Sequence, residues 1–336
     1  MKELCEKEKK GGGLTSIGSS LNRAVTALLS GHQAAYQAMA IKLVGPLFRL
    51  VDRLIARSTK RPSSPLPKCI MVVSCPRSGS TIAYQFLAQV LRCAYITNLH
   101  ALLPRTGSAL LRKFDLFGKF RKRSRSYYGY TEGLSNVYEG NELFERIFVD
   151  DDIDAIRSRF YDFCNDISPV DHDIFVFKNV RYFEKLALLH QAVPEVFFVK
   201  VNRSISAIIQ SEYIAAQALG GIHPVPSTLN VSEYDDLLDL VCHQIEEMQT
   251  ILDSQRSEIG DASWLELHYE QFCEDPEATL EAVCGKTGIA KSLVDESQAR
   301  LFELSCRNNQ KVNDAELARI SEYIAKQGYD EIEGTR

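Results

Sequence analysis

The stretch Ile70-Met71-Val72-Val73-Ser74-Cys75-Pro76-Arg77-Ser78-Gly79-Ser80-Thr81 decides how this chain folds. Ile70 to Val73 is an unbroken apolar run, the pattern of a strand buried on both faces. After Gly79, the apolar residues Ile82, Phe86, Leu87, Val90 and Leu91 recur at helical spacing. A strand, a tight turn and a helix start together make an anion site. The first amides of the helix have no intrahelical partner, and the helix dipole favours negative charge there. Gly79 lets the backbone approach a ligand closely. Ser78, Ser80 and Thr81 offer hydroxyl groups, and Arg77 offers a permanent cation.

Outward from this loop the alternation continues. Ile174–Phe177 and Val196–Val201 read as further buried strands, each followed by a helical pattern, near 182–191 and 204–219. Trp264–His268 reads as a fourth strand. Helices are expected over about 232–257, 277–286, 291–304 and 313–327. Strands alternating with helices predict an α/β fold with a mainly parallel central sheet flanked by helices. Ligands of such sheets bind at the carboxyl ends of the strands.

Arg61-Pro62-Ser63-Ser64-Pro65-Leu66-Pro67 places three prolines in seven residues and cannot continue a helix. It divides the chain into a helical extension (1–60), a linker (61–67) and a main domain (68–336). Within the extension, Leu43, Leu47, Leu50, Val51 and Leu54 recur at helical spacing. Lys42, Arg49, Asp52 and Arg53 make the segment too polar to span a membrane. The simpler reading is a helix packed on the domain. A peripheral membrane contact through 34–57 is the alternative.

Composition narrows the function. The 336 residues carry a net charge of −5, which gives no reason to expect nucleic-acid binding. The nine cysteines are scattered and form no C-x-x-C pair, which argues against a disulfide framework and a structural zinc. A reducing, cytoplasmic setting is expected. The segment around 105–125 is basic (Arg105, Arg112, Lys113, Lys119, Arg121, Lys122, Arg123 and Arg125 against Asp115). It reads as a solvated surface or as a basic rim that attracts an anion. Tyr127, Tyr128 and Tyr130 read as core residues, with sugar stacking as the alternative.

The loop departs from the nucleotide triphosphatase pattern G-x-x-x-x-G-K-[ST]. Ser74 stands at the first glycine, Ser80 stands at the lysine, and the cation lies on Arg77 instead. An atypical P-loop kinase is therefore disfavoured.

Cys75-Pro76-Arg77-Ser78-Gly79-Ser80-Thr81 resembles the 5′-phosphosulfate loop of sulfotransferases that use 3′-phosphoadenosine 5′-phosphosulfate (PAPS). The resemblance covers roughly 68–330 and implies a P-loop-containing nucleotide hydrolase-like fold. It implies further roles in chain order. Arg203, ending a strand, and Ser211, eight residues later, would clasp the 3′-phosphate. Lys178 would contact the leaving phosphate and the moving sulfuryl group. Tyr269 in the Tyr269-Glu270…Asp275-Pro276-Glu277 element would lie near the adenine, and Arg307 and Lys311 would close over the 3′-phosphate. Asp275 with Pro276 also reads simply as a helix start.

Many family members carry a histidine base two residues after the strand-end lysine; here that position is Val180. Two other candidates are His100, after the first helix of the domain, and Glu139, ahead of an aromatic helical stretch. The reaction implied is metal-free transfer of a sulfuryl group to a hydroxyl or amine of an acceptor, with Arg77 and Lys178 stabilising the leaving phosphate. A non-catalytic module binding adenosine 3′,5′-bisphosphate is the competing reading from another functional class.

Overall fold

The computed structural model describes residues 33–56, 68–114, 116, 126–127, 130–167, 174–300, 302 and 304–329. The linker at 61–67, the basic residues 119–125 and Tyr128 lie outside these residues.

Five strands form one parallel sheet in the order β2-β5-β1-β6-β7. They are β1 (Lys68–Val73), β2 (Ala94–Tyr95), β5 (Ile174–Lys178), β6 (Val196–Asn202) and β7 (Trp264–His268). A separate two-stranded ribbon pairs β3 (Ser126–Tyr127) with β4 (Tyr130–Thr131). The four strands read from the sequence are all present. The fifth, β2, is two residues long, and a pattern of period two cannot show itself over that length.

Successive residues of a strand point to opposite faces, and β1 feeds two cores in this way. Cys69, Met71 and Val73 join one buried cluster, and Ile70 and Val72 join the other. The first cluster contains α6 (Ile153–Ile167), α7 (Leu186–Ala192), α8 (Ile205–Leu219) and α9 (Leu237–Ile259). The second contains α2 (Ser80–Val90) and α11 (Pro276–Thr287). Burial on both faces explains why the strands read as continuous apolar runs. Register sets the working edge of the sheet: Val72 pairs with Lys178, and Val73 pairs with Lys200. The ends of β5, β1 and β6 therefore lie side by side, with β7 beyond β6.

Shorter helices complete the chain: α3 (Asn98–Leu102), α4 (Gly107–Lys113), α5 (Asn141–Phe144), α10 (Tyr269–Glu274), α12 (Glu296–Arg300) and α13 (Asp314–Gln327). The helix expected over 291–304 is reduced to a 3-10 turn and the five residues of α12. Asp295 interrupts it, because its carboxylate accepts from Ser297 N, Ser297 Oγ and Gln298 N.

The first helix, α1 (Gln33–Ala56), packs on α3, β3 and β4. It packs on the domain as expected and does so through its polar face. Asp52 is buried and accepts from Arg105 N, Thr106 N and Thr106 Oγ1 at 3.0, 2.9 and 2.6 Å. It thereby satisfies amides that precede α4. Arg49 donates to Ala101 O at 3.0 Å, and Gln37 accepts from Gly133 N at 2.8 Å. Leu43 is 82% exposed, Leu47 64% and Leu54 60%.

Candidate active site

The loop between β1 and α2 is held by its own backbone. Gly79 has φ +92°, and no side chain caps the helix it opens. A Cβ at Gly79 would lie 2.4 Å from Cδ2 of Tyr269, so only glycine fits between loop and ring. Arg77 is also left-handed, at φ +64°. That conformation costs about 1–2 kcal/mol for a residue with a Cβ. Ser78 donates to Cys75 O at 3.0 Å, so its proton closes the turn. Ser80 is buried at the start of α2, with Thr81 partly exposed beside it. The buried Ser74 hydroxyl has no hydrogen-bond partner among the described residues.

Arg77 reaches across the sheet edge. Its Nε donates to Ser211 Oγ, on α8, at 3.1 Å. Arg203, immediately after β6, donates through Nη1 to Arg77 O at 2.7 Å, through Nη2 to Arg307 O at 2.5 Å and through Nε to Asn308 Oδ1 at 2.8 Å. Its guanidinium also stacks on Tyr269, 4.7 Å from the ring centroid. The segment 304–312 is thus strapped over the end of β6. Asn308 donates onward to Glu270 Oε1 at 2.6 Å, and Lys311 N donates to Gln210 Oε1 at 2.9 Å.

Four cations converge here. Burial first, then Arg203, Arg77 and Arg307, lower the Lys311 ammonium to about 8. A half-buried lysine crowded by three guanidinium groups has the electrostatics to receive an anion. Glu212, buried beside Ser211, is pushed up to about 7 by burial, with Arg77 opposing the rise.

At the end of β5 the buried Lys178 pairs with Glu139. Asn179, also buried, fixes the Glu139 segment: its Nδ2 donates to Glu139 O at 3.4 Å and to Asn141 Oδ1 at 3.0 Å. Its Oδ1 accepts from Arg181 N and Tyr182 N. Glu139 lies directly before Gly140, which has φ +67° and begins α5. The segment is laid along the sheet edge by Tyr138 N donating to Ile96 O at 2.8 Å.

His100 does not join this group. It is completely buried, and both ring nitrogens are engaged. Nδ1 accepts from Thr97 N at 3.0 Å, and Nε2 lies 2.8 Å from Ser108 Oγ. Because Ser108 gives its own proton to Ile167 O, the ring must donate from Nε2 and is the neutral tautomer. Burial lowers its pKa to about 3. His100 is part of a capping box with Thr97 at the start of α3.

The strand ends of β5, β1, β6 and β7 thus carry Lys178, the anion loop, Arg203 and Tyr269 in spatial order. A model of the sulfotransferase family matches residues 67–292.

The chain belongs to the sulfotransferase family.

Solved structures share the fold. The sulfotransferase STF9 of Mycobacterium avium is 13% identical, with a TM-score of 0.56 over 81% of this chain and 79% of its own. The sulfotransferase STF1 of Mycobacterium tuberculosis is 15% identical, with a TM-score of 0.51 over 95% of this chain and 89% of its own. No curated protein matches the sequence. The parallel sheet flanked by helices is the P-loop-like fold that the loop motif implied, and the protein's activity is sulfuryl transfer. Among the described residues of this sulfotransferase, no group of His, Cys, Asp and Glu could hold a metal ion.

Sequence reasoning passed over Asn179, Asn308 and Glu270. Each is a polar residue whose role appears only through a partner 38 or more positions away. The signal present for Asn179 was its place directly after a strand-end lysine.

Proposed function

We propose that this sulfotransferase takes its sulfuryl group from PAPS, passes it to a hydroxyl or amine of the acceptor without a metal, and uses Glu139 as general base. The observation that carries the reading is the convergence of Arg77, Arg203, Arg307 and Lys311 with Ser211 on the uncapped N-terminus of α2.

PAPS supplies an activated sulfuryl group on the 5′-phosphate and a second anion at the 3′ position. Arg203, Ser211, Arg307 and Lys311 are the groups for the 3′-phosphate, and the Arg203-stacked Tyr269 is the aromatic neighbour for the adenine. The amides of Gly79, Ser80 and Thr81 hold the 5′ anion. Arg77 and Lys178 stabilise the charge that builds on the leaving phosphate, as preorganised cations in a site shielded from water. Glu139 is kept in position by Lys178 and Asn179, and it accepts the acceptor proton. The transfer itself is mostly positioning and charge stabilisation.

All eight cysteines among the described residues are free thiols, which supports a reducing compartment such as the cytoplasm.

Titration calorimetry tests the donor. Adenosine 3′,5′-bisphosphate should bind without magnesium, and labelled PAPS with a panel of hydroxyl and amine acceptors should give labelled product. Tight, magnesium-dependent ATP binding with no bisphosphate binding would overturn the reading.

A further inference from the structure

The outward face of α1 is exposed among the described residues. At about 100° per residue, Leu43, Leu47, Leu50 and Leu54 line up along one side, with Val51 at its margin. All five are exposed. Monomeric proteins seldom leave so continuous an apolar stripe in water, and such stripes mark interaction surfaces. The helix is held in this orientation by Gln37, Arg49 and Asp52, so the leucines cannot turn inward without breaking these hydrogen bonds.

Cations flank the stripe. Arg49 and Arg53 lie on one side of α1, and Arg105 and Arg146 stand close enough to join them. All three of the other arginines act electrostatically on Arg146 and, after burial, lower its basicity. The nearby acids are few or already committed. Asp52 is consumed by backbone amides, Arg105 lies 3.5 Å from Asp166, and Glu142 acts on Arg146. Arg105, Arg146 and Arg159 line a cavity of about 160 Å³ with Asp162 and Asp166. Between Glu8 and Asp115 the sequence holds no acid except Asp52.

We propose that α1 docks this protein on anionic phospholipid bilayers, its leucine stripe entering the interface and its flanking arginines meeting lipid phosphates. An apolar face bordered by arginine suits a helix lying in the interfacial plane. No helix among the described residues is long and apolar enough to cross a membrane, so the contact is peripheral. An occupant of charge opposite to Arg53 and its neighbours suits this face better than a second copy of the same helix. A cytoplasmic leaflet carries the opposite charge.

The full chain is floated with phosphatidylcholine vesicles with and without phosphatidylglycerol. It should float with the anionic vesicles alone, and less so as salt rises. A Leu47→Glu, Leu54→Glu variant should lose at least about tenfold in partitioning, and Arg53→Glu should also weaken it. Both leucines are exposed, so an unchanged melting curve and unchanged bisphosphate binding will show that the variant is folded. Absence of flotation, equal flotation on phosphatidylcholine alone, or unchanged binding by the leucine variant would each overturn the proposal. So would a concentration-dependent dimer abolished by the same variant. The readout does not involve sulfuryl transfer, so its failure leaves the enzymatic reading intact.

Discussion

Arg77 Nε donates to Ser211 Oγ at 3.1 Å, although 134 positions of sequence separate them. The bond joins the loop after β1 to the helix after β6, and it sets the cation proposed for the leaving phosphate against the serine proposed for the 3′-phosphate. Arg77 holds this place in a left-handed backbone conformation that its side chain does not favour.

The variant Arg77→Gly therefore separates strain from function. Glycine accepts φ +64° without penalty, so thermal stability should hold or rise by up to about 1 kcal/mol. The cation proposed for the leaving phosphate is lost, and kcat/KM should fall about 10²–10³-fold. Calorimetric melting and steady-state kinetics read the two effects. A variant with full activity would remove Arg77 from the site.

Glu139→Gln keeps the size of the side chain and removes the base. Turnover should fall by at least about 10²-fold, with bisphosphate affinity nearly unchanged. If donor affinity collapses along with turnover, Glu139 acts by holding Lys178 and not as a base.

His100 supplies the control. His100→Ala removes the partner of Thr97 N and of Ser108 Oγ, both buried. The expected cost is about 1–3 kcal/mol of stability, with donor binding retained in the folded protein. The sign of the pH effect follows from the lowered pKa. Between the ordinary 6.5 and about 3, the unfolded chain binds a proton that the folded chain refuses. This contribution to stability is present above about 6.5 and is lost as pH falls toward 3. The alanine variant should lack that part of the acid slope in melting curves.

With Lys311 at the 3′-phosphate, as proposed, donor binding should be proton-linked. Its ammonium titrates near 8 in the free protein, and a bound phosphate dianion raises it. Near pH 8 the ligand phosphate is already fully ionised, since its second pKa is about 6. Proton uptake on binding should therefore appear in calorimetry across buffers of different ionisation enthalpy, and affinity should decline as pH rises past 8. Lys311→Met should bind more weakly and take up no proton.

Much of the site was legible because its parts sit where strands end. Gly79, Lys178, Arg203 and Tyr269 each follow a run of strand-forming residues, and a parallel sheet gathers such ends on one edge. His100 and Glu139 were not separable this way. Both lie outside the βαβ repeat, and a lone histidine or glutamate carries the same local pattern whether buried or facing a ligand. The periodicity of α1 gave an apolar stripe but not the direction in which it faces.

The sequence by itself determined the parallel α/β sheet, the anion loop and the likeness to sulfotransferases, because apolar runs, glycine and strand-end cations act through local geometry. Only the tertiary structure decided that His100 is held neutral in the interior while Glu139 meets Lys178. It also decided that Asn308 straps Arg203 and that Asp52 turns the leucines of α1 toward solvent. Those outcomes depend on which distant groups satisfy each buried hydrogen bond, and no local pattern encodes that pairing.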